Sequence, residues 1–483
     1  MPRLRPKPKT ITGHIDGRKY SSLWFAVKAV HSSKLLANNS SQLNHNYLSF
    51  NGFMDNKAED GLKNLSLNHM DSSDDNCDQQ MATNQRNVSK DSGVKVVEVN
   101  DKMALVLVAN EDLEYELGCG CVRFTLLSHN FDVHMNGFTL TTDKSVEMMA
   151  VFGHKVTIKC QNNGHNAQTI NDLMTKVETL GAKDSEAVMS QLKDNLCVIL
   201  VEKLCLSSLL YLETVDNFKP LSMKSESTWF DMRSVGTNGF ESIKVWDKLF
   251  DDLQFGANDV IVVTGGTNVG KSSLIRHLIN RYLNKRDTEC MYLDCDPGQS
   301  EFSTSAQLGL TRIQSPVLCS TAMNVIKHKP LMACSVGATT PSKAANLYIS
   351  SVYNLVNFYQ KDLQSKGPLF VNTMGWTRDL GLALLTDTIK IALPTHVIQM
   401  NSTADQSVNI GFDLTPESVK RFNGYRYSGS DRTRSLKYKL SIIESNNKRS
   451  KKSQTTRDLQ QLSYMSQMPD IAFKPFFAMT PYK

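Results

Sequence analysis

The chain of 483 residues predicts an α/β fold: a three-layer domain around a parallel sheet, preceded by a small β-rich domain and a disordered N-terminal tail. Three textures carry that prediction. Beyond residue 241, short continuous apolar runs alternate with helical periodicity, as expected for strands buried on both faces and joined by right-handed crossovers. Between Val94 and residue 240 the apolar runs are β-branched and broken by turn residues, the pattern of hairpins and meanders. From about Ser32 to Ser92 there are few sustained apolar patterns.

The tail comes first. Residues from about Ser32 to Ser92 are rich in Asn, Ser and Asp, a composition that buries too little surface to offset the entropy of ordering. Residues 1–93 are therefore expected to be mostly disordered. The opening MPRLRPKPKT places Arg3, Arg5, Lys7 and Lys9 in alternation, which suits nuclear import, nucleic-acid contact or simply a frayed basic end. In residues 94–240, VKVVEV, MALVLVAN, CVRFTLLS and FDVHMNGFTLT are strand-like, with a hairpin signal at Asn136-Gly137. Ile170 to Lys193 has helical character, and NLCVILVEKL ends the region as another strand.

The third region, residues 241–445, opens on VIVVT (Val260–Thr264), followed by Gly265-Gly266-Thr267-Asn268-Val269-Gly270-Lys271-Ser272-Ser273. This satisfies G-x-x-x-x-G-K-[ST] in full, with the strand before and the helix after that the motif needs. Glycines let backbone N–H groups turn inward around phosphate oxygens, Lys271 reaches the β and γ groups, and the Ser272 hydroxyl is placed to ligate Mg²⁺. The helix N-terminus adds its positive end. The predicted fold is thus a P-loop NTPase that binds a nucleotide with Mg²⁺; that the nucleotide is ATP is implied by the resemblance below. Further strands are expected at Met291–Asp294, Pro368–Thr373 and His396–Asn401. Helical stripes fall at Tyr348, Val352, Leu355, Val356 and Tyr359, and from Leu380 to Ile391, stopping before Pro394.

Carboxylates that manage Mg²⁺ or the attacking group usually end a strand beside the P-loop strand. MYLDCDPGQ supplies Asp294 and Asp296, two apart and so expected to point the same way. A turn-forming Asp-Pro-Gly would explain Asp296 without chemistry. Asn284-Lys285-Arg286-Asp287 spells the guanine-reading N-K-x-D, yet lies at the end of the first helix, where no guanine reader belongs; it is read as coincidence.

The remaining composition excludes several classes. No apolar run approaches the roughly 20 residues of a membrane helix. Ten cysteines occur without a C-x-x-C pair, which argues against structural zinc and suits a reducing, intracellular compartment. The net charge is only +6, but Lys420 to Lys452 holds eleven basic residues against Asp431 and Glu444. Beside a phosphate site, such a stretch suits nucleic acid as well as a solvated face.

In order along the chain, Gly265–Ser272, D294-C-D-P-G-Q-S-E-F302, V371-N-T-M-G-W376 and H396-V-I-Q-M400 resemble the polynucleotide 5′-hydroxyl kinase family. R233-S-V-G236, R457-D-L-Q-Q-L-S-Y-M-S-Q467 and M479-T-P-Y482 resemble its nucleolar branch. The resemblance runs from about residue 115 to the end. It implies transfer of the ATP γ-phosphoryl to a 5′-hydroxyl of RNA, in ribosomal RNA maturation at the internal transcribed spacer. It implies a nuclear, nucleolar protein partnered by a Las-type endoribonuclease.

Residue by residue, the resemblance makes Asp296 the general base or hydroxyl-positioning group and Asp294 a second carboxylate holding Mg²⁺ through water. Lys271 serves the phosphates, and Thr373, Gly375 and Trp376 form a clasp on the substrate end. Trp376 offers a stacking face that tolerates any base, although a core tryptophan would read the same. Gly337, Thr339 and Thr340 match a G-x-T-x-P loop, and Arg432 and Arg434 are candidates for a mobile lid. Relatives continue past T-P-Y, so residues 446–483 are expected to start a C-terminal region that is cut short. A non-catalytic nucleotide-binding scaffold for the nuclease, and a generic P-loop ATPase or GTPase switch, are the competing readings.

Overall fold

The computed structural model describes residues 94–467, apart from 109–113, 151–156, 165–169, 181–195, 205–231, 236–240, 428–435, 447–452 and a few single positions. The N-terminal tail, the lid candidates Arg432 and Arg434, and M479-T-P-Y482 lie outside the described residues.

The β-rich region comprises β1 (Val94–Asn100), β2 (Met103–Val108), β3 (Glu114–Leu117), β4 (Gly120–Leu126), β5 (Phe131–Met135), β6 (Phe138–Leu140), β7 (Ser145–Ala150), β8 (Thr157–Asn162), helix α1 (Ile170–Thr179), β9 (Cys197–Lys203) and β10 (Met232–Val235). They form two antiparallel sheets, ordered β1-β2-β9-β4-β7 and β10-β3-β8-β5-β6. Ala104, Val106, Phe124 and Ile199 of the first sheet share one core with Phe131, Val133 and Met135 of the second. The alternate residues Leu105, Leu107 and Val198 face the other way, onto Leu173 and Val177 of α1. With both faces covered, β2 reads MALVLV rather than alternating with polar residues.

The second region contains α2 (Glu241–Leu253), β11 (Val260–Gly265), α3 (Lys271–Arg286), β12 (Cys290–Cys295), β13 (Gln307–Ile313), α4 (Thr321–Lys327), β14 (Pro330–Ser335), α5 (Ala345–Asp362), β15 (Leu369–Thr373), α6 (Asp379–Ala392), β16 (His396–Ser402), α7 (Pro416–Arg421), β17 (Lys439–Ser445) and α8 (Ser453–Met465). The strands form one sheet ordered β14-β13-β12-β15-β11-β16-β17. Val260, Val262, Leu293 and Val371 pack on Tyr348 and Leu355 of α5 and Leu384 and Ile389 of α6. Their neighbours Ile261, Val263, Tyr292 and Phe370 pack on Leu274, Leu278 and Tyr282 of α3. The period-2 alternation of entirely apolar strands between two helical layers is the predicted three-layer architecture.

Two features of the sheet depart from the expectation. It is parallel only from β12 to β17, because β12 and β13 pair antiparallel, as do β13 and β14. No helix lies between β12 and β13, and without a crossover a chain returns antiparallel. The carboxylate-bearing β12 is also not the neighbour of β11: β15 runs between them.

The two regions meet at the Asn136-Gly137 turn. Met135 pairs with Phe138, so the loop is two residues long, and both take left-handed φ (45° and 87°), as a type I′ hairpin requires. The turn docks on α3, where a Cβ at Gly137 would lie 2.6 Å from the His277 carbonyl oxygen. Fully buried Asn280 donates to the carbonyl oxygens of Asn136 (2.9 Å) and Val317 (3.3 Å), and its Oδ1 accepts from Val317 N–H (2.7 Å). One side chain thus ties hairpin, P-loop helix and the segment before α4. Asn280→Ala strands buried backbone groups on both sides and is expected to cost about 1–3 kcal/mol of stability, measured by urea denaturation.

Candidate phosphoryl-transfer site

The P-loop sits where β11 delivers its C-terminal end to α3. Gly265 has φ 144°, and a Cβ there would fall 2.3 Å from the Met400 carbonyl oxygen on β16; only glycine lets the strand end pass so close. Thr267 and Asn268 form an exposed crown, Val269 is buried, Gly270 and Ser272 are half-buried and Ser273 is exposed. Lys271 is buried, and its Nζ donates to the carbonyl oxygens of Gly265 (3.1 Å) and Gly266 (2.8 Å). Burial lowers the Lys271 ammonium to about 8, opposed by the negative charge of Asp296.

The two carboxylates do not play matched parts. Asp294 ends β12 fully buried. Its Oδ2 accepts from Glu301 N–H (2.5 Å), and its Oδ1 from Asp296 N–H (3.2 Å) and Asn372 Nδ2 (3.3 Å). Burial drives its pKa well up, against the Glu301 backbone bond. Asp296 lies past the strand, half-buried. Its Oδ1 accepts from Gly298 N–H (2.9 Å) and Gln299 N–H (3.2 Å). The Asp-Pro-Gly turn is therefore real, and Asp296 and Lys271 lie near enough to influence each other's charge. Burial raises the Asp296 pKa, and Lys271 is the largest opposing influence.

The loop after Asp296 is anchored at its far end. Glu301, 1% exposed, accepts from Arg276 of α3 (2.9 Å) and from Asn324 of α4 (2.5 Å). Phe302 packs edge-on against Tyr292 (4.9 Å) and His328 (5.3 Å). The buried His328 ring is held down to about 4, chiefly by burial and secondarily by Lys327. An unfolded histidine takes its proton near 6.5, so the unfolded chain binds more protons between those values. Stability is present above pH 6.5 and falls as pH drops toward 4, by about 3 kcal/mol from this group. His328→Leu is expected to flatten that part of the stability–pH curve relative to the parent.

The clasp candidates lie on and after β15, between β11 and β12. Thr373 is turned inward, its hydroxyl donating to the Val263 carbonyl oxygen (3.0 Å). Gly375 packs on the P-loop itself: a Cβ there would lie 2.8 Å from Thr267 N and Cα. Trp376, half-buried, lies over Gly381 of α6, where a Cβ would meet its ring at 2.2 Å. The Gly337–Thr340 loop reaches the same place from outside, with exposed Thr339 presenting its carbonyl 3.0 Å from a Cβ at Gly298.

Asn372, one residue before the clasp, was not among the residues the motifs singled out. Its Nδ2 bridges Asp294 and, at 3.5 Å, Ser272 Oγ, while its Oδ1 is buried with no protein partner. The carboxylate partner dictates which end of the amide carries the donor. Its signal in the sequence was a polar residue inside an apolar strand. Ser272, Asp294 and this free amide oxygen are hard donors of the kind Mg²⁺ takes, and the inward-turned loop fits a nucleotide's phosphates.

A mostly parallel sheet with a Gly-x-x-x-x-Gly-Lys-Ser turn at the C-terminal end of β11, and Asp294, Asp296 and Gly375 near that turn, defines a P-loop nucleotide-binding domain. Residues 265–449 match the family model described as the P-loop of the mRNA cleavage and polyadenylation factor CLP1. The polynucleotide 5′-hydroxyl-kinase NOL9 of Bos taurus is 25% identical over 414 residues, covering 73% of this chain and 58% of that protein. The human NOL9 is 34% identical over 185 residues, 38% of this chain and 25% of that protein. The kinase GRC3 of Candida albicans is 29% identical over 212 residues, 40% of this chain and 31% of that protein. A solved complex of Clp1p with Pcf11p aligns with a TM-score of 0.44 at 15% identity, covering 76% of this chain and 73% of that one. Residues 265–449 carry the CLP1-family P-loop, and the chain is similar to the nucleolar branch its motifs resemble.

Because Gly375 touches the P-loop backbone directly, Gly375→Ala must push clasp and P-loop apart. Affinity for ATP, by isothermal titration calorimetry, is expected to fall about tenfold or more, roughly 1.4 kcal/mol, in a protein that still melts cooperatively.

Proposed function

We propose that the chain is an ATP-dependent polynucleotide 5′-hydroxyl kinase. The observation that carries this reading is the convergence of Lys271, the Asp296 carboxylate and the Thr373–Trp376 segment on one end of the sheet, with Gly375 packed against the P-loop. A switch protein has no need of a clasp pressed onto its phosphate loop.

In this reading the P-loop amides and Lys271 hold the ATP phosphates. Ser272 and Asp294, with Asn372 beside them, would hold Mg²⁺, which would neutralise phosphate charge. The 5′-hydroxyl oxygen attacks the γ-phosphorus in line as the bond to the β–γ bridging oxygen breaks. ADP leaves, and the hydroxyl proton passes to Asp296. Burial raises the pKa of its half-buried carboxyl toward the range a general base needs, and Lys271 is the largest opposing influence. Trp376 stacks on the RNA end, and the basic stretch from Lys420 to Lys452, with Arg432 and Arg434, contacts phosphates.

The relatives are named polynucleotide 5′-hydroxyl kinases, which supports a polynucleotide substrate; pre-ribosomal RNA, internal transcribed spacer processing, a Las-type endoribonuclease partner and the nucleolus complete the reading from the motif resemblance alone.

The test is transfer of labelled γ-phosphate to a short 5′-hydroxyl RNA. Label is expected with the parent protein and none with Lys271→Ala or with a 5′-phosphorylated RNA. Asp296→Asn is expected to lose on the order of 10²–10⁴-fold. A folded, ATP-binding protein that transfers no label points instead to a nucleotide-binding scaffold.

A further inference from the structure

The RDLQQLSY segment has no part in the chemistry above. It forms α8, which lies beyond residues 265–449 of the family model. Helix α8 packs along α4, with Leu459 buried among Cys319, Ala322 and Met323 of the P-loop region and Cys121 and Met149 of the β-sandwich. From that seat, one face of α8 meets the loop that follows Asp296. Gln460, fully buried, donates through Nε2 to the Ser300 carbonyl oxygen and to that of Ser303 (3.3 Å). One turn earlier, Arg457 Nη1 donates to the Gly298 carbonyl oxygen (3.4 Å). Positions three apart on a helix share a face, so both side chains reach the same strip of backbone.

We propose that α8 is a brace for the site, with Arg457 and Gln460 as positioning residues that hold the Gly298–Ser303 backbone and thereby present Asp296 to the substrate hydroxyl. The loop is irregular, so its buried carbonyls need donors from elsewhere, and α8 supplies them at Gly298, Ser300 and Ser303. Asp296 depends on this backbone, because its carboxylate orientation is set by the N–H groups of Gly298 and Gln299. The guanidinium of Arg457 also adds positive charge near Asp296. Glu301 and Arg276 fix the loop's far end, and α8 fixes its middle.

The catalytic part of this inference rests on the kinase reading, and two readouts separate them. Hydrogen–deuterium exchange of the full chain follows the amides of residues 298–303 in Arg457→Ala, Gln460→Met and the exposed control Thr455→Ala. Faster exchange is expected in the first two and not in the control, with the P-loop amides unchanged. In label transfer, Arg457→Ala is expected to lower kcat about 10–100-fold with little change in KM for ATP, Arg457→Lys to recover part of it, and Arg457→Ala to add nothing in an Asp296→Asn background. Unchanged loop exchange in both variants overturns the brace whether or not the protein is a kinase. A loss that adds in full to that of Asp296→Asn overturns the positioning role and leaves Arg457 acting on its own.

Discussion

The buried carboxylate of Asp294 is the interaction on which the site depends. It gathers the Glu301 and Asp296 backbone N–H groups and the Asn372 amide, and through Asn372 it reaches Ser272 of the P-loop. Burying a carboxylate is costly unless several donors meet it, and here two come from the very loop that must be shaped. The group therefore converts a burial penalty into geometry: the loop that satisfies Asp294 is the loop that carries Asp296. Removing the hub leaves loop amides without acceptors and β12, β15 and the P-loop without a common partner.

The sheet order gives this hub its reach. Ligands of open α/β sheets bind beyond the carboxyl ends of the strands, and β11, β15 and β12 deliver P-loop, clasp and carboxylates there side by side. The insertion of β15 between the other two lets Gly375 lean on Thr267 while Asn372 touches both flanking strands. The antiparallel β13 and β14 follow from a β12–β13 connection used for the site rather than for a crossover helix. The segment that would have returned the chain parallel is spent on holding Asp296 through Glu301.

Support comes from outside the sheet as well. The Asn136-Gly137 hairpin presses on α3, and α8 lies against the loop from the other side, sharing its buried face with residues of the β-sandwich. The β-sandwich thus contacts both α3 and α8, through a backbone carbonyl of the hairpin and through packed side chains. Its strands show no sign of this in sequence, where only their alternation and their turns stand out.

Local pattern was enough to locate the elements and the phosphate-loop motif. The P-loop, its flanking strand and helix, the doubly buried strands, the Asn-Gly hairpin and the pair of acidic residues all rest on neighbours within one turn or one strand, where spacing dictates direction. The Asp-Pro-Gly sequence also predicts the turn found at Asp296. Relations across the chain came from folding alone. These are the place of β15 between β11 and β12, the inward use of Asp294 and Thr373, the bridging role of Asn372, and the approach of α8 to a loop some 160 residues earlier in the chain. These depend on which strand lies beside which, and on buried polar groups finding donors far off in sequence. Periodicity records that a side chain is buried, but the partner it meets there is chosen by packing.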